Sequence, residues 1–419
     1  MAEKQENMLG VLPSQALIKL IEGGSITAPR TPAENLVAQV QPASVDLRLG
    51  PTAYRLQSSF LPQSDTVANK MSDLVMYELG LEKGAILERG AVYLIPLMEE
   101  LSLGAAVRGK TNPKSSTGRL DVFTRVITDN CSRFEEVSAG YRGKLYLEVV
   151  PRSFTIKVKA GQRLNQLRLH SKGSSQTPVK SEQREPGKSI KDEATGLYTA
   201  HAEHEFLYDL GNPIEVYGKE LFSLYMDEEL LFGSNGEFID SPAGHLTNDG
   251  LLMSVDLTSD NGGPIGYKAK KNSHVIDLEK MAHYFADEFW EPIHPPRNGR
   301  LILEPEEFYI FASKERIRVP MSCAAEMVEF DAGSGELRTH YAGFFDPGFG
   351  YGKSGEVEGT KAVLEVRPHD VPFIIEDGQI LFKMKYERMS QLPNIWYGAE
   401  IGSNYHDQVL RLAKQFKQI

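Results

Sequence analysis

The chain is poor in the features that most often mark a function. Only two cysteines, Cys131 and Cys323, occur in 419 residues, so neither a disulfide framework nor a zinc site built on closely spaced Cys pairs can form. No run approaches the roughly 20 apolar residues a membrane-spanning helix needs. The opening MAEKQENMLGVLPS lacks a basic start followed by an apolar run. The expectation is a soluble, cytoplasmic chain with reduced thiols and no membrane partner. Cations are outnumbered, 46 Lys+Arg against 57 Asp+Glu for a formal charge of −11, which argues against a nucleic-acid partner. Phosphate loops of the form GxxxxGKS/T, or GxGxxG after a strand, are missing.

What is present is a repeat. SVDL stands at 44–47 and again at 254–257, an offset of 210. LERGAVYLIPLMEELSLGAA (87–106) parallels LEPEEFYIFASKERIRVPMSCAA (303–325), with Tyr93 and Tyr309 at offset 216. LEV at 147–149 and 364–366, and GQ at 161 and 378, recur at offset 217. Ordered landmarks at nearly constant spacing imply two copies of one domain, and the length independently suits two cores of about 200 residues. The first copy spans 1–170 and the second 211–419. Between them, 171–210 opens with a polar, charged stretch that cannot bury enough surface to order itself, and reads as a linker.

Within each copy, short β-rich runs (AVYLIPL, KLYLEVV, FTIKVKA; FYIFAS, KAVLEVR) alternate with Gly, Pro, Ser and Asn clusters. This predicts a mainly β fold, each copy a distorted barrel or jelly roll with a few peripheral helices. Helical spacing of apolar residues nominates 14–24, 275–289 and the C-terminal 405–419 as those helices.

The densest chemistry lies in PKSSTGRLDVF (113–123). From Ala105 to Lys144 the chain carries eight cations against four acids, a local positive island on an acidic protein. Hydroxyls of Ser115 and Ser116 beside Lys114 and Arg119 supply donors for a small, highly charged anion such as a triphosphate. In GYRGKLYLEVV (140–150), alternation puts Lys144, Tyr146 and Glu148 on one strand face. If that face lines a pocket, burial raises the affinity of Glu148 for a proton and fits it for general acid–base work.

Four stretches, ASVDLRLG (43–50), PKSSTGRL, GYRGKLYLE and AGQRLNQLRL (160–169), occur in the order in which the dCTP deaminases have them, and the chain resembles that family, relatives of the trimeric dUTPases. The resemblance implies a dUTPase-like fold and hydrolytic deamination of dCTP to dUTP and ammonia, which supplies dUMP for thymidylate synthesis. It makes Glu148 the catalytic proton shuttle, and gives Lys114, Ser115, Ser116 and Arg119 the triphosphate and the organisation of the reacting centre. By the same resemblance Asp129 matches an aspartate near sugar and base, Tyr146 is expected among the substrate-binding residues, and Tyr397 and Gln408 match a closing C-terminal segment. Mg²⁺ enters with the triphosphate. Zinc is not expected, because HAE at 201–203 has no PCxxC partner. Related proteins form trimers with shared sites, so a homo-oligomer is expected.

The chain departs from the family pattern by the extra CSRFEEVS (131–138) and by Ile127 where an arginine is usual, leaving that role to Arg125 or to no residue. At offset 217 the second copy replaces Ser115, Ser116 and Arg119 by Ala332, Gly333 and Glu336, yet keeps Asp346 and Glu365. It reads as a degenerate site or as a half-site that completes another. dUTP pyrophosphatase activity, alone or coupled to deamination, and nucleotide binding without turnover are the alternative functions.

Overall fold

The computed structural model describes residues 9–29, 31–172, 214–259, 262–329, 337–339, 343–398 and 410–417. Nearly all of the expected linker, Gln408, and Ala332, Gly333 and Glu336 lie outside them. The mainly β expectation holds, with short helices at the periphery.

Each copy stacks two antiparallel sheets. In the first, one sheet runs in the order Val75–Gly80, Thr52–Leu56, Val92–Ser102, Arg142–Pro151, Val122–Thr128, and the other in the order Gly10–Val11, Arg163–Ser171, Val107–Pro113, Glu136–Val137, with Val45–Arg48 on Arg163–Ser171. The second copy repeats the arrangement, placing Thr360–Pro368 beside Tyr309–Ile317 and Ile380–Arg388 beside Cys323–Glu329. Register repeats as well as order: Glu148 is paired across the sheet with Leu94, and Glu365 with Ile310. Even local devices recur, since the hydroxyls of Tyr93 and Tyr309 accept the backbone N–H of Glu88 at 3.1 Å and of Glu304 at 2.9 Å.

The copies do not simply touch. The main apolar core of the first includes Ile276, Phe289, Trp290, Phe308, Ile310, Val363 and Phe416 from the second. Phe154 meets Trp290 edge-on with ring centroids 5.2 Å apart, and Phe289 meets Phe416 at 5.5 Å. Burial of each such ring contributes about 1.5–3 kcal/mol. Arg168, wholly buried, reaches from the first copy to Asp346 at 3.2 Å, Glu387 at 3.3 Å and the carbonyls of Ala325 and Phe345 at 3.0 and 3.2 Å. A buried guanidinium tolerates desolvation only when its charge is met in this way; here Nη1 and Nη2 are satisfied and Nε has no acceptor.

Two of the three expected helices are corrected. Residues 14–24 do form one, Ser14–Glu22, burying Leu17 and Ile21. In 275–289 only Ala286–Phe289 is helical. The N–H groups of Ile276 and Leu278 instead donate to the carbonyls of Thr155 (3.0 Å) and Lys157 (3.1 Å), so Ile276–Asp277 extends a first-copy sheet as a parallel strand. Edge pairing between copies overrides the helical spacing. The described C-terminal residues 410–417 are not helical. Their apolar side chains Leu412, Ala413 and Phe416 are buried in the joint core, and the carbonyls of Lys414 and Gln415 accept from Ala282 and His283. A helix not foreseen, Gly218–Asp227, buries Leu221 and Tyr225.

Candidate active site

The short helix Ser115–Gly118 is tied down at its start. Lys114 N–H and the Thr117 hydroxyl both donate to the Leu164 carbonyl, at 3.0 and 2.9 Å, while Thr117 and Gly118 N–H close on the Lys114 carbonyl. The turn therefore rides on the Arg163–Ser171 strand and presents Ser115, Ser116 and Arg119 to one side. That side is a cavity of about 560 Å³, within the range of small-ligand sites.

One end of the cavity is cationic. Lys114 forms an ion pair with Asp46, which Arg163 also approaches at 3.5 Å, and Lys414 lines the same end. Burial lowers the Lys414 ammonium below the usual lysine range, and repulsion from Lys114 and Arg163 pushes the same way against the attraction of Asp46. Three cations and two hydroxyls converge there, a donor set for a polyanion. The Arg119 guanidinium is buried and donates to the Arg411 carbonyl at 2.9 Å, so the C-terminal segment crosses the cradle.

The second copy also lines the cavity with Phe344, Asp346, Phe349, Tyr397 and Glu365. Glu365 is almost wholly buried, and its carboxyl lies against Gly118, so close that a Cβ built on that glycine would stand 2.9 Å from the Glu365 Cδ. Burial pushes the Glu365 carboxyl up to about 8, with the Asp121 charge adding and the Arg119 charge opposing. A carboxyl that gains and loses its proton near neutrality, beside an anion cradle, is equipped for proton transfer. Burial also raises Asp346, against the stabilising charges of Arg168 and Lys114.

Of the residues nominated from sequence, the structure brings Lys114, Ser115, Ser116, Arg119 and Tyr397 together. It does not bring Glu148, Asp129 or Tyr146 to them, and the carboxyl that lines this cavity is that of Glu365. Glu148 is 1% exposed, and one of its oxygens takes both Arg125 Nε at 3.0 Å and Nη2 at 2.5 Å. Arg125 is itself held by Ser59 at 2.8 Å and stacked 3.5 Å from the Phe134 ring centroid. Asp129 accepts the Val67 N–H at 2.7 Å, and Tyr146 packs with Leu56, Val67 and Ile127. Residues 57–74 and the extra CSRFEEVS stretch thus fill the first copy's counterpart of the Glu365 face with its own chain. The alternation argument identified that face but could not show what covers it.

Sequence reasoning missed Asp46, Arg163, Lys414 and Gln415 as lining residues. Asp46 and Arg163 stand inside two of the quoted motifs, which was signal enough. Lys414 carried none, because only the tertiary path of the tail brings it there. Among the described residues no cluster of three or more His, Cys, Asp or Glu side chains is placed to hold a metal ion.

Fold and cavity together define a class: a tandem, mainly β protein with one cavity lined by Lys114, Ser115, Ser116 and Arg119 of one copy and by the buried Glu365 carboxyl of the other. The family models for the N-terminal and C-terminal domains of 2'-deoxycytidine 5'-triphosphate deaminase match residues 8–173 and 212–416. A crystal structure of 2'-deoxycytidine 5'-triphosphate deaminase from Agrobacterium tumefaciens superposes with a TM-score of 0.75 at 39% identity, over 92% of this chain and 100% of that one. Two shorter relatives, both called dUMP-forming dCTP deaminase, match as well. The one from Methanopyrus kandleri is 25% identical over 162 residues, 38% of this chain and 81% of the relative. The one from Sulfurihydrogenibium sp. is 30% identical over 130 residues, 31% of this chain and 68% of the relative. The chain belongs to the dCTP deaminase family.

Proposed function

We propose that the chain hydrolytically deaminates dCTP, with Glu365 of the second copy as proton shuttle over the Ser115–Arg119 cradle of the first. The observation that carries this reading is the contact of the Glu365 carboxyl with Gly118 inside the cationic cavity. The triphosphate, with the Mg²⁺ it brings, lies toward Lys114, Ser115, Ser116, Arg163 and Lys414, and cytosine toward Glu365 and the Phe344 to Phe349 turn. Glu365 as carboxylate takes a proton from water as its oxygen bonds to C4. It passes that proton to the ring nitrogen N3, then carries the proton of the new C4 hydroxyl to the amino group; the C4–N4 bond breaks as C4=O forms, and ammonia leaves. Arg119, held by Arg411, offers fixed positive charge beside the reacting centre, an electrostatic contribution that needs no reorganisation.

The immediate product of this reaction is dUTP. A second reading, in which dUTP is cleaved further to dUMP and pyrophosphate, draws support from the names of the two shorter relatives. Purified protein incubated with dCTP and Mg²⁺ separates them: ammonia with dUTP supports deamination alone, and ammonia with dUMP and pyrophosphate supports the coupled reaction. Absence of ammonia removes both.

A further inference from the structure

Four buried charges meet where the copies join. Arg119 and Asp121 stand two residues apart on the turn leaving the cradle, and Glu365 and Arg367 stand two residues apart on one face of the Thr360–Pro368 strand. Asp121 is 1% exposed and takes up the left-handed backbone at φ 53°, an uncommon conformation for a residue with a side chain. Its carboxylate is ion-paired to Arg367 and accepts the Ser153 hydroxyl at 2.6 Å. Arg367 also donates to the Glu306 carbonyl and to the Ser153 hydroxyl. At offset 217 the first copy has Val150 in place of Arg367, so the arginine is not a general feature of the repeated strand.

We propose that Asp121 and Arg367 are a positioning pair for deamination, locking the Glu365 strand of one copy onto the Arg119 turn of the other. The pair deepens the reading of Glu365 as proton shuttle and rests on it. Because Asp121 and Arg367 each lie two residues from a site residue, their bond sets the separation of Arg119 and Glu365 without touching the nucleotide. It also sets the field at Glu365. The charges acting on that carboxyl are Arg119 and Asp121 from the turn; Arg367 stands two residues along the same strand face, paired to Asp121, and the Arg411 carbonyl holds Arg119. The helix Ser115–Gly118 brings no charge, and Ile310 faces Glu365 from the neighbouring strand.

The test is the pH profile of kcat/KM for Asp121→Asn, Arg367→Met and the charge-keeping Arg367→Lys, with dCTP binding followed by calorimetry. Removing the Asp121 anion shifts the limb that reports Glu365 to lower pH, and removing the Arg367 cation shifts it to higher pH, each by about half a unit or more. Arg367→Lys keeps the limb in place but lowers kcat about tenfold at little changed KM, since an ammonium cannot fork between Asp121 and Glu306. A merely structural pair would lower the amount of folded enzyme without moving the limb in opposite directions. If either charge-removing variant does not fold, Arg367→Lys decides alone: parental kcat overturns the proposal. Limbs that stay put or move the same way also overturn it while Glu365→Gln remains inactive. An active Glu365→Gln enzyme would instead remove the reading on which the pair rests.

Discussion

Gly118→Ala isolates the contact on which the site is built. Gly118 lies in a helix with ordinary helical backbone, so on propensity alone alanine would stabilise the protein by about 0.5–1 kcal/mol. The new methyl would stand 2.9 Å from Glu365 Cδ, well inside van der Waals contact, and the carboxyl or the strand must retreat. Overpacking of this kind costs about 1–3 kcal/mol, so the net expectation is a loss of up to about 2.5 kcal/mol. The larger effect is on rate. A displacement on the order of 1 Å at a reacting group can cost about 100-fold, so kcat should fall by about that factor in a protein still folded at 25 °C. Urea unfolding with ammonia release measures both. The control is the same change in Glu365→Ala, where the obstacle is gone and alanine becomes neutral or stabilising. An enzyme with parental kcat, or the same stability loss in both backgrounds, would refute the reasoning.

Other expectations follow from the charges. Folding raises the Glu365 carboxyl from 4.5 to about 8, so the folded state binds the extra proton between those values and stability falls as pH rises across that window. Glu365→Gln should therefore stabilise the protein increasingly from pH 5 to pH 8, as read by thermal unfolding. Lys414 lines the cavity close to Lys114 and Arg163, so Lys414→Met should raise KM for dCTP about tenfold, with little effect on kcat. Arg168→Met leaves Asp346 buried without its ion-pair partner and Glu387 with His170 as its remaining one, and should lower unfolding stability by about 3–5 kcal/mol.

Much of this could be read before the structure was seen, and the exceptions share a cause. The repeat, the β runs and the Ser-Ser-x-x-Arg cradle are local patterns, and the Glu148 and Glu365 strands were both recognisable from LEV. Which of those glutamates serves the cradle is a question of how two copies pack, and local pattern is silent on it. The same limit explains Ile276, whose strand exists only because Thr155 and Lys157 of the other copy supply its partners. It explains Lys414 as well, carried to the cavity by Phe416 anchoring the tail in the joint aromatic core. Glu148 is paired with Arg125, which stacks on Phe134, and Phe134 comes from the very stretch that departs from the family pattern.

The most direct measurement compares Glu365→Gln with Glu148→Gln, following ammonia release from dCTP with nucleotide binding checked by calorimetry. The account predicts that Glu365→Gln binds dCTP and releases essentially no ammonia, whereas Glu148→Gln, although destabilised where Arg125 loses its partner, keeps kcat within about twofold of the parent because its carboxylate never meets the substrate. An inactive Glu148→Gln enzyme that folds and binds dCTP, beside an active Glu365→Gln, would contradict a site built across the two copies.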